Sequence, residues 1–415
     1  MKRFQFLLVA LLLASGWLAD ALVGPRVAQW LAARCGAALL RMGQGKFTDA
    51  ALFIQHRLHE AIWLTTLVAV WLAAHWLLGE VMNHRCKNFR SRWAVQGIAG
   101  FVGLNVWLAA AMNTGLFWGA LGAGGNMHVL MQFHFKRLMM EENPTPHRAV
   151  LVGSSQTRAE INEDQLNDLI GTNLWTTELH FPGSHGYDVF LIERQIRRAN
   201  PQLVICYLSE GYFYSDSGGP MLPNFFSLRD LPDAWHRGAL HYLSGAEIGS
   251  GLLGDLLPVY RLREIFAQRL FGATATQLKQ QQYNTALTVD LDTRAQVMAA
   301  SFRISPESDF QKTAFADFVG RCQQAHRRVL LLVGGYNPLL EQRINPAVHA
   351  DMLHYLDQLK ARYPAVTLIS PTELPEQTPA DYDDLNHVNA DMQSRYTAGL
   401  ARLLAHLPTN AQSTP

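Results

Sequence analysis

Residues 149–158 read Ala149-Val150-Leu151-Val152-Gly153-Ser154-Ser155-Gln156-Thr157-Arg158. The first four are small or branched apolar residues, typical of a short buried strand, and the glycine and serines are typical of a turn into a helix. Similar apolar runs alternate with helical patterns towards the C-terminus. This alternation predicts an α/β domain with helices on both faces of a parallel, flavodoxin-type sheet. The expected strands are 149–152, 174–181, 203–208, 328–333 and 366–369, and the expected helices are 160–170, 187–198, 310–326, 347–362 and 390–407.

Three segments place chemically useful residues where such a sheet holds its active site, beyond the carboxyl ends of the strands. Ser155 follows the first strand, Gly183 follows the second, and Asp384 and His387 precede the last helix. Each segment has a plainer interpretation: a helix cap, a turn and a solvated acidic loop. A carboxylate three residues from a histidine can, however, orient the imidazole towards a nucleophile. Together the segments favour a catalytic triad.

The order serine, glycine and Asp-x-x-His over residues 148–407 resembles the SGNH, or GDSL-like, hydrolase superfamily. The chain has Gly-Ser-Ser where that family has Gly-Asp-Ser. This variant is similar to the membrane-anchored branch that acts in teichoic-acid D-alanylation and in O-acylation of exopolysaccharides. The resemblance implies that Ser155 is the nucleophile, His387 the general base and Asp384 its orienting carboxylate.

The same resemblance implies an oxyanion hole formed by the backbone amides of Ser155 and Gly183. Many SGNH members add an asparagine after the third strand. Here the third strand runs into Ser209, so Ser209 or a backbone amide would have to take that place. The loss of one such donor can slow a reaction about 10²–10³-fold.

Five further residues are candidates for binding the substrate. Arg158 lies one turn beyond Ser155 and could bind an acidic group, or pair with Glu160 or another nearby carboxylate. Tyr212 could stack on a sugar ring or pack in the core. The other three candidates are His185, Asn337 and Asn389.

A long insertion separates the third and fourth strands, from about residue 212 to 309. Such a length within a compact α/β domain is typical of a lid, a binding surface or an interaction module. Its segments 240–256 and 259–271 are apolar enough to cover the site or touch a membrane. A helical subdomain with its own small core is an equally good interpretation.

Residues 1–146 are predicted to form a membrane region. Apolar spans are expected at about 4–22, 61–81 and 93–121, and the second and third meet the length of roughly 20 residues needed to cross a bilayer. The first could instead be a cleaved signal peptide, since Ala19-Asp20-Ala21 resembles a cleavage site. Residues 27–40 suit an amphipathic helix on the membrane surface. An interfacial helix or stalk (127–140) and a proline-containing linker (141–146) would then lead to a domain at 147–410.

Basic residues predict the orientation. Four of them lie in the short segment 84–92 between the second and third spans, and positively charged loops stay in the cytoplasm. The domain after the third span would then lie outside the bacterial inner membrane, on the periplasmic or extracellular side. The basic residues of the loop 23–60 oppose this orientation, but they are spaced more widely.

Composition excludes several classes of protein. The 35 Lys and Arg residues balance 34 Asp and Glu residues to a net charge of +1, which argues against a nucleic-acid partner. The four cysteines form no C-x-x-C pair, which argues against a zinc ribbon or redox motif. The expected mechanism requires neither a metal nor a cofactor.

These expectations combine into a membrane-anchored serine acyltransferase that modifies a cell-envelope polysaccharide or glycolipid through an acyl-Ser155 intermediate. A membrane-bound O-acyltransferase would be the acyl donor, because cytoplasmic acyl-CoA cannot reach an exported serine. The alternatives are an exported esterase that removes acyl groups and a catalytically degenerate domain that binds glycan or scaffolds an assembly.

Overall fold

The computed structural model divides the chain into two compact units. The first comprises Met1–Ala123 together with Leu256–Arg263, and the second comprises Gly124–Asp255 together with Glu264–Pro415. The chain therefore leaves the first unit after residue 123, returns to it at residue 256 and leaves it again after residue 263. The structure describes residues 2–42, 50–85, 89–121, 125–142, 147–171, 174–215, 222–271 and 290–406.

Long apolar helices build the first unit. Two segments, Ala50–Met82 and Arg90–Ala111, are long and apolar enough to cross a membrane, and the bent pair Ala10–Leu22 and Gly24–Arg34 would add a third span. Only 6% and 17% of the most apolar windows of the two long segments are buried, so these helices leave an apolar surface for lipid. The helices are α1 (Lys2–Leu18), which continues through a π-helical turn, α2 (Gly24–Met42), α3 (Ala50–Arg85), α4 (Phe89–Ala111) and α5 (Gly115–Ala120).

The third apolar segment is shorter than the predicted span at 93–121, because α4 ends at Ala111 and a new helix begins. Thr114 caps α5 by accepting a hydrogen bond from the Phe117 amide at 3.3 Å. The carboxylate of Glu60 accepts two more, from the amides of Gly115 and Leu116, each at 2.8 Å. These acceptors satisfy amides that lack partners at the start of a helix.

A five-stranded parallel sheet forms the centre of the second unit. Its order is β2-β1-β3-β4-β5, the order of doubly wound flavodoxin-type sheets. The predicted strands 203–208, 328–333 and 366–369 are confirmed to the residue, whereas the second strand is four residues long instead of eight. The strands are β1 (Arg148–Val152), β2 (Trp175–Glu178), β3 (Leu203–Leu208), β4 (Arg328–Val333) and β5 (Val366–Ile369).

Helices cover both faces of this sheet, as predicted. The helix expected at 160–170 is two helices, because Asn162 caps the second one by accepting a hydrogen bond from the Gln165 amide. The helices of the second unit and of the insertion are α6 (Gly125–Glu142), α7 (Ser155–Glu160), α8 (Glu163–Ile170), α9 (Gly186–Ala199), α10 (Gly211–Tyr214), α11 (Leu222–Phe225), α12 (Leu231–His236), α13 (Gly245–Leu256), α14 (Pro258–Arg261), α15 (Arg263–Phe271), α16 (Leu291–Ser301), α17 (Pro306–Gln324), α18 (Pro338–Glu341), α19 (Pro346–Arg362) and α20 (Ala390–His406).

The two faces of the sheet have separate apolar cores. Leu151, Ile205 and Leu332 point to one face and pack with α8 and α20. Val204 and Leu331 point to the other face, where they are fully buried, and α9, α17 and α19 lie on that side. Strands that are buried on both faces have continuous apolar sequences, so the limits of these strands could be predicted from the sequence.

The helix α6 belongs to the sheet unit, in contrast to the predicted interfacial helix or stalk. It packs along β2 and α9, and most of its residues from 129 to 140 are buried. Lys136 Nζ bridges Glu163 and Glu178 at 2.5 and 3.5 Å. The helix therefore covers the otherwise open edge strand β2. The unit begins near residue 124 rather than at 147, and the predicted linker residues 143–146 lie outside the described part of the chain.

Candidate active site

The turn after β1 presents two serines in different environments. Gly153 begins it, and a side chain there would lie 2.8 Å from the carbonyl oxygen of Tyr207, so only glycine fits. Ser154 Oγ accepts a hydrogen bond from the Gln156 amide and caps α7. Ser155 is the first residue of that helix. The cap interpretation therefore applies to Ser154, and the hydroxyl of Ser155 is left for other partners.

The loop before α20 holds its acidic residue and its histidine as one unit. Asp384 Oδ1 accepts hydrogen bonds from the amides of Asn386 and His387 at 2.9 and 2.8 Å. Asn337 Nδ2 donates to the Asp384 carbonyl at 3.3 Å, and Asn389 Nδ2 donates to the Ala380 carbonyl at 2.8 Å. Both asparagines thus position the loop rather than reach outwards for substrate.

The two segments meet in a continuous hydrogen-bonded chain. His387 Nδ1 lies 2.9 Å from Asp384 Oδ2, and His387 Nε2 lies 2.9 Å from Ser155 Oγ. Burial raises the pKa of Asp384, but the hydrogen bonds from the His387 side chain and the Asn386 amide outweigh it, so the net pKa is lowered. An ionised Asp384 keeps the proton on Nδ1, which leaves Nε2 to accept the proton of Ser155.

The loop after β2 lies against the same turn. Gly183 has φ of +68°, a left-handed conformation that favours glycine. Ser184 Oγ donates to the Gly153 carbonyl at 2.8 Å and holds the loop beside the nucleophile turn. Within the described part of the chain, neither the Ser155 amide nor the Gly183 amide donates a hydrogen bond. Both remain available to an oxyanion, and the assignment of that role stays a prediction.

Ser209 does not have a hydroxyl proton to spare for a third oxyanion donor. It is 3% exposed, and its Oγ donates to Gln156 Oε1 at 2.6 Å while accepting from the Tyr336 hydroxyl at 2.9 Å. Gln156 Nε2 in turn donates to the Gly335 carbonyl at 3.2 Å. The network ties the ends of β1, β3 and β4 together. Our expectation that Ser209 replaces the missing asparagine is therefore not supported by this geometry.

Three of the predicted substrate-binding residues are buried, Asn337 among them. His185 is 2% exposed and begins α9, where its amide donates to Asp188 Oδ2 at 2.8 Å. Tyr212 is 3% exposed and its ring packs edge-on against Phe213 and Phe315, so of the two interpretations core packing is the correct one. Neither the His185 nor the Tyr212 side chain can reach a substrate at this surface.

Arg158 is exposed one turn beyond Ser155. Its predicted alternative partner, Glu160, is fully buried and accepts a hydrogen bond from Gln377 Nε2 at 2.9 Å instead. Among the described residues no carboxylate lies within ion-pair distance of the Arg158 guanidinium. Burial raises the pKa of Glu178, but the hydrogen bond from His180 and the charges of His180, Lys136 and Arg158 outweigh it, so the net pKa is lowered. Arg158 thus remains a candidate for binding an acidic group.

Glu160 is a feature that sequence reasoning missed. It is the last residue of α7 and is buried on the core side of the site. Burial raises its pKa to about 8, against the opposing hydrogen bond from Gln377. The helical spacing of Glu160 from Ser155 could have placed it near the site, but nothing local shows that it is buried.

A cavity of about 530 Å³ opens at the carboxyl ends of β4 and β5. None of the three triad residues is among its lining residues, but two lining residues form hydrogen bonds with chain neighbours of the triad. Gly335 accepts the hydrogen bond from Gln156, the residue after the nucleophile, and Gln377 accepts one from Tyr382 at 2.5 Å. Tyr382 pairs with Val388, next to His387. The lining is partly apolar, and its polar side chains include Tyr336, Glu341, His349, Glu376 and Gln377.

Two carboxylates, Glu341 and Glu376, line this cavity together with His349. His349 Nδ1 lies 2.5 Å from Glu210 Oε1, and that hydrogen bond raises the pKa of His349. Burial and the nearby charge of Glu210 raise the pKa of Glu341. Among the described residues no group of three or more His, Cys, Asp or Glu side chains could hold a metal ion.

No protein-family model matches the chain, and no curated protein sequence matches it.

Proposed function

We propose that the chain is a membrane-anchored serine acyltransferase that transfers an acyl group through Ser155 to a hydroxyl of a cell-envelope polysaccharide or glycolipid. The observation that carries the proposal is the Ser155–His387–Asp384 hydrogen-bonded chain, with both links at 2.9 Å. In the same proposal the α/β unit is SGNH-like. Its strand order, its serine after β1 and its Asp-x-x-His segment before α20 fit that resemblance.

The reaction would proceed in two half-reactions. Ser155 Oγ attacks the carbonyl carbon of the acyl donor while His387 Nε2 takes its proton, and the amides of Ser155 and Gly183 stabilise the oxyanion. The imidazolium then gives its proton to the leaving group, which departs and leaves an acyl ester on Ser155. A sugar hydroxyl attacks this ester, His387 takes the hydroxyl proton, and Ser155 recovers a proton as it leaves. Asp384 remains ionised throughout.

The cavity beside the triad is the space we assign to the acceptor. Carboxylates and amides accept hydrogen bonds from sugar hydroxyls, and Glu341, Glu376 and Gln377 supply them there. Its volume lies within the range of about 300–1,000 Å³ that is usual for ligand pockets. Its two carboxylates favour a neutral or amino sugar over a uronic acid on this side of the triad.

The location and the donor partner belong to the same proposal. The candidate spans agree with a membrane protein. The basic segment 84–92 favours an orientation with the α/β unit outside the bacterial inner membrane. An exported serine needs an acyl donor that crosses the membrane, which is the role we assign to a membrane-bound O-acyltransferase.

Hydrolysis is the second candidate function. The His387 side chain is 31% exposed, so water can reach the base that would activate it. An esterase would use the same triad with water as the second nucleophile. Transfer requires that the bound sugar hydroxyl is positioned better than water.

The fraction of acyl groups that goes to sugar rather than to water distinguishes the transferase from the esterase. Full-length protein in nanodiscs would receive an aryl acetate, with and without envelope oligosaccharide, and both acetate and acetylated sugar would be measured. We expect slow hydrolysis and a larger flux to the sugar. Glu341→Gln should raise the acceptor KM and leave hydrolysis unchanged, whereas Asp357→Asn, on the exposed face of α19, should change neither.

Two other outcomes would decide against transfer. Fast hydrolysis that added oligosaccharide does not alter would establish the esterase. If no activated ester acylates Ser155, both catalytic functions fail and a glycan-binding or scaffolding domain remains.

A further inference from the structure

The short helix α14, deep within the insertion, belongs to the first unit rather than to the α/β unit. Residues Leu256–Arg263 cluster with the apolar helices, and α14 packs against α4. The Val259 amide donates a hydrogen bond to Asn105 Oδ1 at 3.1 Å, across 154 residues of sequence. The insertion thus returns the chain to a helix that is long and apolar enough to span a membrane.

Asn105 is a polar residue in an apolar helix, and both its amide nitrogen and its amide oxygen form hydrogen bonds with protein groups. It is 8% exposed, and its Nδ2 donates to the Phe101 carbonyl at 3.0 Å. Its Oδ1 accepts from Val259. In hydrocarbon no water can satisfy such a group, so the partner must come from the protein. The contact between Asn105 and Val259 therefore satisfies the side-chain amide without water, as is necessary inside a bilayer.

The position of Asn105 along α4 gives the depth of the contact. Asn105 lies six residues before Ala111, the end of α4, which corresponds to about 9 Å along the helix axis. Residues at the same level are apolar and point outwards: Val102 is 53% exposed and Val106 is 63% exposed. The Val259 amide therefore lies below the end of the span, at the level of side chains that suit lipid.

The order of apolar and polar residues in segment 256–263 suits a shallow position in a membrane. Its first part is apolar, and Leu256 is 59% exposed. Its second part carries Tyr260 and Arg263, whose guanidinium lies 4.1 Å from the centre of the tyrosine ring and donates to the Tyr260 carbonyl at 2.9 Å. Tyrosine and arginine are favoured at the membrane–water interface, where a polar tip can reach water.

The path of the chain agrees with this depth. No described helix between α4 and α14 is a candidate span, so α14 lies on the side of the membrane where α4 ends. Asn105 lies in the C-terminal part of α4, which is the part nearest to that side.

We propose that residues 256–263 form a shallow membrane-embedded segment whose apolar part contacts lipid acyl chains in the leaflet where α4 ends. The insertion then provides a second attachment to the bilayer, besides the connection near residue 123. This inference does not depend on the proposed catalytic function.

Spin-label accessibility tests the proposal on the full-length protein in nanodiscs of phosphatidylcholine and phosphatidylglycerol. Cys35 and Cys86 would be replaced by serine, and the buried Cys206 and Cys322 retained. A nitroxide at Leu256→Cys should collide severalfold more often with oxygen, relative to a water-soluble nickel chelate, than a nitroxide at Val297→Cys. Val297 is the matched control: an apolar residue of the α/β unit that is 67% exposed.

Equal ratios at the two sites would overturn the proposal. Protection of the Leu256 label from both reagents would also overturn it, because protein rather than lipid would then cover the residue. Should Leu256→Cys fail to fold, a label at Leu257→Cys gives the same comparison. Asn105→Leu should lower the oxygen-to-nickel ratio at the Leu256 label and leave the Val297 ratio unchanged.

Discussion

Two serines follow neighbouring strands of one sheet and have opposite environments. Ser155 follows β1, Ser209 follows β3, and these strands pair in parallel. The Ser155 hydroxyl meets the imidazole of His387 at 2.9 Å, whereas the Ser209 hydroxyl lies between Gln156 and Tyr336. The same functional group can therefore react or hold a structure, depending only on its partners. A base and an accessible surface distinguish the first serine, and a saturated buried network distinguishes the second.

The two serines are also linked. Gln156 directly follows Ser155 and binds the hydroxyl of Ser209, so the buried serine helps to fix the turn that presents the reactive one. This difference predicts which substitutions abolish the reaction and which mainly weaken the fold.

The largest effect on rate is expected from Ser155→Ala. It removes the nucleophile and should lower acyl transfer and aryl acetate hydrolysis by about 10⁴–10⁶-fold. The thermal unfolding midpoint should stay close to that of the wild type, because among the described residues the Ser155 hydroxyl bonds only to His387. Ser154→Ala is the control and should keep most of the activity while losing a helix cap. The opposite pattern would place the nucleophile at Ser154.

Asp384→Asn should have the next largest effect. The amide would no longer stabilise the imidazolium or hold its tautomer, which should lower kcat by about 10³–10⁴-fold. Because the pKa of Asp384 is lowered, the wild type should keep this carboxylate ionised well into the acid range. Rates of both proteins from pH 5 to pH 9, where the wild-type carboxylate is ionised, check the loss of kcat. A variant with wild-type kcat would show that Asp384 is only a loop residue.

Ser209→Ala should affect stability more than rate. It leaves Gln156 Oε1 without its donor and the Tyr336 hydroxyl without its acceptor, a loss of about 1–3 kcal/mol. The rate should fall by about tenfold or less, through a looser turn at Ser155. Unfolding of Ser209→Ala, Tyr336→Phe and the double variant would measure the coupling between the two hydroxyls. A loss of activity as large as that of Ser155→Ala would restore Ser209 as an oxyanion donor.

Glu160→Gln should have the smallest effect on rate and a distinct dependence on pH. The folded-state pKa of Glu160 is raised to about 8, so its stabilising contribution is complete below about pH 4.5 and is lost as pH rises through 8. The variant should match the wild type near pH 5 and unfold at a higher temperature near pH 9. Thermal unfolding at both pH values measures the difference. Parallel curves would mean that Glu160 does not titrate in this range.

The predictable part of the site is the part whose interactions are local. Asp384 and His387 are three residues apart, and Ser155 ends an apolar run that identifies its strand. Ser209 depends on partners 53 and 127 residues away, so no pattern around it could show that its proton is taken. Local composition also gave no sign that Phe315 would pack over Tyr212.

In the fold, too, the elements that depend on local sequence could be predicted and those that depend on distant contacts could not. Buried strands are continuous apolar runs between turn residues, and three of the five were located to the residue. The packing of α6 on the sheet unit could not be predicted, because its apolar sequence suits a membrane surface as well as a sheet edge. Its packing along β2 and α9, together with the contacts of Lys136 with Glu163 and Glu178, 27 and 42 residues away, shows that it packs on the sheet unit.

Trapping the acyl-enzyme tests the central claim most directly. Full-length protein would be mixed with an aryl acetate, quenched in acid and digested with trypsin, which separates residues 149–158, with Ser155, from residues 199–229, with Ser209. Mass spectrometry should find one acetyl group on the first peptide, and fragmentation should place it on Ser155. Ser155→Ala and His387→Ala should abolish the acetyl group. Acetylation of Ser209 or Ser154 instead, or equal acetylation without His387, would contradict the account.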